Sequence, residues 1–247
     1  MALADAYVGC AGWSLPRTAQ DAFPGDGSHL QRYAQRLNAC EINSSFWRPH
    51  GAPTYRRWAD STPEAFRFSL KLPRAITHER KLVGCESLLD EFVGQSQGLG
   101  NRLGCLLVQL PPSLAFDSQV VCAFLEALRQ RWQGPLAAEP RHASWFTAQV
   151  DELLAGYGAA RVLADPVREP AGARPGGCDR FIYLRLHGSP RMYYSAYDQP
   201  LIRALARRMA VALRTGCSVW CMFDNTAGGA AADNALGLQR ALHEEFE

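Results

Sequence analysis

The sequence predicts an α/β protein that forms a single (β/α)8 barrel, a TIM barrel, over residues 1–247. Short apolar segments alternate with amphipathic segments along the whole chain, and eight of the apolar segments end at polar residues beside Gly, Pro or Asn. The length of 247 residues also suits this fold, for which about 250 residues are typical. Because the strand ends of such a barrel meet at its C-terminal face, a functional site is expected there.

Eight parallel strands are predicted from the apolar segments. Strands that are apolar at consecutive positions are typical of parallel sheets buried on both faces. The predicted strands span residues 7–10, 39–42, 66–70, 103–109, 136–139, 161–164, 181–186 and 218–223. An open doubly wound sheet fits less well, because residues 9–12 are too short for the Gly-rich phosphate loop that should follow its first strand.

Seven helices are expected between the strands. They are predicted at residues 29–37, 54–61 and 87–98, from Asp117 or Ser118 onward, and at 147–157, 199–214 and 230–244. The segment 166–178 contains several Pro and Gly residues and no apolar repeat, so a loop is expected in place of helix six.

Local signals indicate the ends and faces of several helices. Ser28 is a suitable N-cap for helix one, and Gly158 is a suitable stop for helix five. Helix four carries apolar residues at core spacing, which are Val121, Phe124, Leu125 and Leu128. Helix seven has an apolar residue at every fourth position, and its predicted buried stripe is Leu201, Leu205, Met209 and Leu213.

Composition narrows the class of protein. Lys and Arg number 26 and Asp and Glu number 24, and this near balance does not favour nucleic acid as the partner, although a local basic patch stays open. The eight cysteines include no CxxC pair and sit largely in or beside apolar segments, as expected of free thiols that pack as small hydrophobes.

No signal peptide is evident, and no apolar run approaches the ~20 residues of a membrane span. We therefore expect a soluble, cytoplasmic protein with no membrane partner.

Candidate catalytic residues stand where the predicted strands end. Carboxylates occur at four such ends and a histidine at a fifth, and the predicted catalytic set is Glu41, Glu139, His187 and Asp224, with Asp165 as a further carboxylate. Carboxylates held together can bind a divalent cation, or can differ in pKa so that one is an acid and another a base. The alternative is a set of structural salt bridges with Lys71, Arg141 and Arg185, which sit at the same level of the predicted barrel.

A divalent metal is the one cofactor that the sequence suggests. Glu139, His142, Asp165 and His187 are the ligand types of metal-dependent sugar isomerases and phosphoesterases. No fixed spacing such as HExxH marks them, and mixed carboxylate–imidazole sets also work without a metal. The metal therefore stays an open alternative.

Cationic and aromatic residues near the strand ends indicate the kind of ligand. An Arg side chain can hold a carboxylate or phosphate through two parallel hydrogen bonds, and aromatic rings can stack on a sugar or a base. We therefore expect an anionic or polyhydroxylated small molecule. The predicted ligand-binding residues are Trp13, Asn43, Lys71, His78, Gln109, Arg141, His142, Arg185, Tyr194 and Asn225.

An ordered series of short motifs resembles the YecE-like family, also called domain of unknown function 72. The motifs occupy residues 9–14, 33–34, 41–47, 58, 62–63, 66–71, 76–78, 107–112, 139–145, 184–188, 223–225 and 233–235. The resemblance implies a TIM barrel and no established reaction, although the family's barrels have been likened to endonuclease and sugar-isomerase barrels. The chain departs from the family pattern at Pro140, at Asp224 and between Asp165 and Pro166.

Three functions are consistent with these residues. The first is an enzyme, a phosphoesterase-like hydrolase or an isomerase, that acts on a phosphorylated or sugar-like small molecule. Glu139 or Asp224 would be its base, and His187 would be its acid or a metal ligand. Arg141, Arg185 and Lys71 would hold the anionic group of the substrate. The second is a nucleic-acid-processing, endonuclease-like barrel that uses aromatic and cationic loop residues. The third is a noncatalytic ligand-binding or partner-binding module.

Overall fold

A computed structural model describes residues 5–247, apart from the side chain of Thr18, and its strands form one sheet. The strands are β1 Ala6–Ala11, β2 Ala39–Ile42, β3 Arg67–Lys71, β4 Leu103–Gln109, β5 Leu136–Glu139, β6 Ala159–Arg161, β7 Leu163–Asp165, β8 Gly176–Gly177, β9 Phe181–Leu186 and β10 Ser218–Phe223. Their order in the sheet is β7-β9-β10-β1-β2-β3-β4-β5-β6-β8. All neighbours are parallel except β8, which pairs antiparallel with β6.

The sheet closes through its sixth barrel strand, which is split in two. β6 pairs with β5, and β7 pairs with β9. The two pieces flank Val162 and together connect β5 to β9, which closes the ring. The backbone N–H of Val162 donates to the carbonyl of Ala138 at 2.8 Å, which continues the pairing with β5 across the break. The predicted TIM barrel is confirmed, and its sixth strand occupies 159–165 as two short pieces instead of one continuous segment.

The helices cover the outside of the barrel. They are α1 His29–Ala34, α2 Ser44–Trp47, α3 Ala52–Asp60, α4 Glu86–Ser96, α5 Ser118–Arg129, α6 Ala148–Gly156, α7 Gln199–Arg214 and α8 Ala231–Glu244. The Ser28 side chain caps α1 and the Asp117 side chain caps α5, as the sequence predicts. Gly158 follows α6 with φ +62°, a left-handed conformation that glycine adopts without strain.

Helix seven of the sequence prediction has the predicted bounds but a different buried face. Leu201 is 45% exposed, and the buried stripe begins one residue later. That stripe is Ile202, Ala206, Met209 and Leu213. Its spacing of four, three and four follows the 3.6-residue period of the helix, whereas a strict four-residue repeat drifts off the buried face.

A loop replaces helix six, as predicted. Between β7 and β9 the chain forms a single 3-10 turn, Pro170–Gly172, and the short strand β8. The space leaves a groove of about 430 Å³ on the outside of the barrel, lined mainly by apolar side chains of β9 and α7 with Arg174 and Arg208 among them. No helix within residues 5–247 is long and apolar enough to cross a membrane.

The alternation of side chains along each strand separates the barrel interior from the helix-facing core. The interior cluster consists of Ala39, Cys105, Leu107, Ala137, Ala160, Val162, Phe181, Tyr183, Trp220 and Met222. Residues two positions further along the same strands also face inward, one layer nearer the C-terminal mouth. Arg185 follows Tyr183 in this way, Asp224 follows Met222, and Glu139 follows Ala137, so the fold itself brings polar side chains together at the top of the interior.

The eight cysteines are all free thiols, as the sequence predicts. Cys10, Cys40 and Cys221 pack in the core between strands and helices, and Cys105 lies in the interior cluster. Burial raises the pKa of these thiols, so they pack as apolar groups instead of reacting.

Candidate functional site

A cluster of seven charged or titratable side chains fills the C-terminal mouth of the barrel. We call it the ion cluster, and its members are Glu41, Lys71, Glu139, Arg141, Arg185, His187 and Asp224. Each lies at or just after the end of a barrel strand, five strands in all. All four predicted catalytic residues and three of the predicted ligand-binding residues are therefore brought together.

Arg185 is the centre of the ion cluster and is almost fully buried. Its Nε and Nη2 donate to the two carboxylate oxygens of Glu41 at 3.0 and 2.6 Å. Its Nη1 donates to Glu139 at 2.6 Å and its Nη2 also reaches Asp224 at 3.1 Å. The guanidinium thus uses its donors on three carboxylates from three different strands, which holds those strands in a fixed arrangement.

Two polar residues of the interior support Glu41 and were missed from the sequence. The Tyr183 hydroxyl donates to Glu41 at 2.8 Å, and Ser69 lies 2.5 Å from the same hydroxyl. Both sit inside apolar strands, so they resemble core residues. The signal that could have found them is spacing: Tyr183 lies two residues before Arg185, and Ser69 lies two residues before Lys71, on the same inward face.

His187 links the carboxylates on either side of it. Its Nδ1 lies 2.9 Å from Asp224 Oδ2, and its Nε2 lies 3.2 Å from Glu139 and 3.0 Å from Arg141 Nη2. A protonated Nε2 donates to Glu139, whereas an unprotonated Nε2 accepts from Arg141. The ring can therefore exist in both protonation states without losing its hydrogen bonds.

The pKa values within the cluster follow from these contacts. Burial disfavours the charged form of His187, but its hydrogen bonds to Asp224 and Glu139 outweigh burial and raise its pKa above 6.5. Burial likewise acts against the charge on Glu139, but Arg185 and Arg141 outweigh it and hold the pKa of Glu139 well below 4.5. The pKa of Asp224 is also lowered, because Arg185 and His187 overcome the effect of burial. These contacts therefore favour the charged form of all three residues.

Lys71 belongs to the ion cluster but is not tied into its hydrogen bonds. Within residues 5–247 its ammonium has no carboxylate oxygen within 4.0 Å and makes no hydrogen bond. The ammonium instead lies 4.3 Å from the centre of the Phe46 ring, in a cation–π contact. Burial, followed by the charge of Arg185, lowers its pKa to about 8. Lys71 is therefore a cation at the barrel mouth that has no counter-ion in contact with it in residues 5–247.

Two further groups of the cluster retain unused hydrogen-bonding capacity. Arg141 places Nη2 between Glu139 and His187, but its Nε is buried without a partner in the described part of the chain. Asp224 uses only Oδ2, and its side chain is 14% exposed. We call Lys71, Arg141 and Asp224 the open half of the cluster, and Arg185, Glu41 and Glu139 the closed half.

The loop of residues 188–197 covers His187. The backbone N–H of Tyr193 donates to the His187 carbonyl at 2.5 Å, and the Tyr193 ring meets the imidazole edge-on at 5.8 Å. The Tyr197 hydroxyl accepts from the backbone of Gly188 at 2.8 Å and donates to Asp165 at 2.6 Å. Tyr193 adopts φ +68°, an unusual conformation for a residue with a side chain. The loop is thus anchored at both ends beside the cluster.

Four of the other residues predicted to bind ligand are not tied into the ion cluster. His78 and Gln109 lie near the mouth, where Gln109 ends β4 and His78 packs edge-on against Phe46. Burial, followed by the charge of Lys71, lowers the pKa of His78. Tyr194 is exposed on the covering loop, with Arg191 stacked on its ring at 4.0 Å. Asn43 follows β2, and its buried Oδ1 has no hydrogen-bond partner in the described residues.

Three predicted ligand-binding residues hold local structure instead of joining the cluster. Trp13 packs against the rings of Trp58 and Phe68 at 4.9 and 6.1 Å. His142 accepts a hydrogen bond from the Ser144 backbone and caps a 3-10 turn. The Asn225 amide donates to the carbonyl of Ser195 and to the Asn234 side chain, which braces the covering loop.

The residue types suggested for a divalent metal are not arranged around one point. Asp165 is hydrogen-bonded to Tyr197, and His142 turns to Ser144, so neither joins Glu139 and His187. In residues 5–247 no group of three or more His, Cys, Asp or Glu side chains is placed to hold a metal ion. The facial ligand set suggested by the sequence is therefore not assembled.

Known proteins share both sequence and structure with this chain. A family model described as "Protein of unknown function DUF72" matches residues 7–247. The UPF0759 protein YunF of Bacillus subtilis is 23% identical over 269 aligned positions, which cover 97% of this chain and 95% of YunF. The UPF0759 protein YecE of Escherichia coli K12 is 28% identical over 175 residues, which cover 68% of this chain and 62% of YecE.

Two solved structures have the same fold. The crystal structure of a DUF72 family protein from Enterococcus faecalis superposes with a TM-score of 0.80 at 22% identity, over 96% of this chain and 95% of that one. The crystal structure of a DUF72 family protein from Thermotoga maritima gives a TM-score of 0.79 at 25% identity, over 96% of this chain and 99% of that one. The resemblance read from the sequence motifs is confirmed by both kinds of comparison.

Proposed function

Since this chain belongs to the DUF72 family, we propose that its ion cluster is an active site that binds an anionic, polyhydroxylated small molecule and moves a proton on it. The observation that carries the proposal is the division of the cluster into two halves. In the closed half every charge is paired through hydrogen bonds, whereas the open half leaves the Lys71 ammonium, Arg141 Nε and Asp224 Oδ1 without partners in residues 5–247.

The charge of the cluster favours an anion. The cluster contains three carboxylates and four groups that can carry positive charge, namely Lys71, two arginines and His187. When His187 is protonated, the cluster therefore has one excess positive charge. A phosphate or carboxylate group would satisfy the buried Nε of Arg141, and a guanidinium holds such groups in a defined orientation. Phosphorylated sugars combine this anion with hydroxyl groups, for which Asn43 Oδ1 and Gln109 are hydrogen-bonding partners near the same mouth.

Proton transfer is assigned to Asp224 and His187 together. Asp224 Oδ1 makes no hydrogen bond in the described residues, and His187 shares the charge of Asp224 through Nδ1, which lies 2.9 Å from Oδ2. Glu139 is a weaker candidate for the base than the sequence suggests, because both of its carboxylate oxygens are already hydrogen-bonded, one to Arg185 and the other to Arg141 and His187. A carboxylate–imidazole pair of this kind can act as general base and general acid, which is the chemistry that an isomerisation needs.

The proposal is tested first by binding. Thermal shifts with a panel of sugar phosphates and the matching unphosphorylated sugars should show stabilisation by the phosphorylated members only. Ligand at about 100 times its Kd should add about 2.7 kcal/mol to the free energy of unfolding. Arg141→Gln should remove the preference for the phosphorylated compounds. Equal shifts with and without phosphate would contradict the assignment of the open half.

Catalysis is tested with the ligand that binds best. In D2O, NMR should show exchange of a carbon-bound proton of the ligand, and Asp224→Asn should slow this exchange by about 100-fold or more. Lys81→Arg, which alters an exposed loop residue, is the control variant. Binding without exchange in the unaltered protein would support a noncatalytic binding module instead.

A further inference from the structure

Lysine is rare in this chain, and one of its two lysines lies inside the barrel mouth. Of the 26 Lys and Arg residues, Lys71 and Lys81 are the two lysines. Lys81 is exposed on the loop after β3, whereas Lys71 is buried in the ion cluster. Arginine stays charged in proteins, but a lysine amine can lose its proton and act as a nucleophile. A position that needed only positive charge could hold arginine, as the other cationic positions of the cluster do.

The surroundings of Lys71 make its ammonium easier to deprotonate than that of an exposed lysine. No carboxylate oxygen lies within 4.0 Å of Nζ in the described residues, and the cation–π contact with Phe46 is its one close stabilising contact there. Arg185 adds repulsion between like charges, whereas Glu41, Glu139 and Asp224 act in the opposite direction from further away. Burial is the largest effect, and the resulting pKa of about 8 leaves a reactive fraction of the amine at neutral pH.

We propose that Lys71 forms an imine with the carbonyl carbon of an aldehyde or ketone substrate whose anionic group is held by Arg141. This inference rests on the proposed function, since it names a carbonyl compound as the substrate class of the same site. The inward direction of Lys71 follows from the hydrogen bond between Ser69 and Tyr183, because Lys71 lies two residues after Ser69 on the same face of β3.

The chemistry balances without an oxidant or a reductant. The neutral amine attacks the carbonyl carbon, so the C–N bond forms as the C=O π bond breaks. The proton that the nitrogen loses passes to the oxygen and gives a neutral carbinolamine. His187 then protonates the hydroxyl group, the C–O bond breaks, one water leaves, and the nitrogen lone pair forms the C=N bond of a protonated imine. This imine draws electrons from the neighbouring carbon, so that Asp224 can remove a proton from that carbon.

Reductive trapping tests the proposal. The full chain is incubated with D-glyceraldehyde 3-phosphate, treated with sodium borohydride, and examined by intact mass and peptide mapping. Borohydride reduces the imine to a stable secondary amine. We expect one adduct per chain, located on Lys71 at about ten times the level found on Lys81 or more. Lys71→Arg should abolish this adduct while keeping a positive charge, and Lys81→Arg, its matched control, should leave it unchanged.

The outcomes separate this inference from the proposed function. Equal labelling of Lys71 and Lys81 in the unaltered protein overturns the inference, and this readout does not depend on any variant folding. Thermal stabilisation by sugar phosphates without an adduct on Lys71 also overturns it, but leaves the anion site standing. An adduct on Lys71 that forms equally well with unphosphorylated D-glyceraldehyde supports the nucleophile and contradicts the anion site.

Discussion

The closed and open halves of the ion cluster lie in the same layer of the same barrel, yet they differ in how their charges are satisfied. In the closed half, Arg185 meets Glu41 and Glu139 through short hydrogen bonds, and Tyr183 adds a further donor. In the open half, Lys71 faces an aromatic ring and Arg141 keeps a buried donor that has no partner among residues 5–247. The difference is the basis of the proposal that the closed half maintains the structure and the open half binds the ligand.

The same division implies opposite consequences of mutation. Removing one partner of a buried, saturated ion pair leaves the remaining charge without compensation, which is costly. Removing a buried charge that has no partner relieves a desolvation penalty instead. Stability should therefore depend on the closed half, and ligand binding on the open half.

The largest effect is expected for Arg185→Met. The substitution leaves Glu41 and Glu139 buried without their shared cation, and breaking a buried ion pair in this way costs about 3–5 kcal/mol. Urea denaturation should show this loss in the free energy of unfolding. A loss below about 1 kcal/mol, within the range of exposed ion pairs, would show that the closed half does not stabilise the barrel.

A smaller loss is expected for Tyr183→Phe, which keeps the ring and removes the hydroxyl. Glu41 loses one hydrogen bond and Ser69 loses its partner. Hydrogen bonds to charged groups contribute about 1.5–3 kcal/mol, so the free energy of unfolding should fall by that amount. Tyr194→Phe, which removes an exposed hydroxyl, is the control and should leave stability unchanged.

The pH dependence of stability should carry the signature of His187. Its pKa is raised in the folded protein, so its contribution is fully present below pH 6.5 and is lost as the pH rises through the folded pKa. His187→Gln should flatten this part of the profile when unfolding is followed in denaturant across the pH range under reducing conditions. An unchanged slope in the variant would show that the hydrogen bonds to Asp224 and Glu139 do not favour the imidazolium.

The smallest effect on stability is expected for Lys71→Met, in sharp contrast to Arg185→Met. Methionine preserves most of the side-chain volume over Phe46 and removes a buried charge that has no counter-ion within 4.0 Å in the part of the chain that the structure describes. The free energy of unfolding should change by less than about 1.5 kcal/mol. Binding of sugar phosphates should nevertheless weaken, which titration calorimetry measures. A destabilisation as large as that of Arg185→Met would remove the distinction between the two halves.

Most of the fold and the location of the ion cluster could be predicted from the sequence. The strands that contribute to the cluster are apolar segments with polar residues at or just after their ends, and the geometry of a barrel brings such ends together. The alternation of side chains also explains two adjacent residues with different roles. Asp224 faces the mouth, whereas Asn225, one residue later, faces the other side and braces the covering loop.

The pairing within the cluster could not be predicted, because it depends on contacts across the barrel. Arg185 and Glu41 are 144 positions apart in the chain, and nothing local distinguishes the saturated Arg185 from the unpaired Lys71. Tyr183 and Ser69 were missed because an isolated polar group in an apolar strand resembles a core residue. The suggested metal ligands are not brought together for a similar reason, since Asp165 is hydrogen-bonded to Tyr197 and His142 to Ser144.

The central claim, that the open half is the ligand site, is tested most directly by a crystal structure with the sugar phosphate that gives the largest thermal shift. We predict that the anionic group of the ligand lies within hydrogen-bond distance of Arg141, that the rest of the ligand extends to Lys71 and Asp224, and that Arg185 keeps its contacts with Glu41 and Glu139. A ligand bound outside the mouth, or an anion that displaces Glu41 or Glu139 from Arg185, would contradict the account.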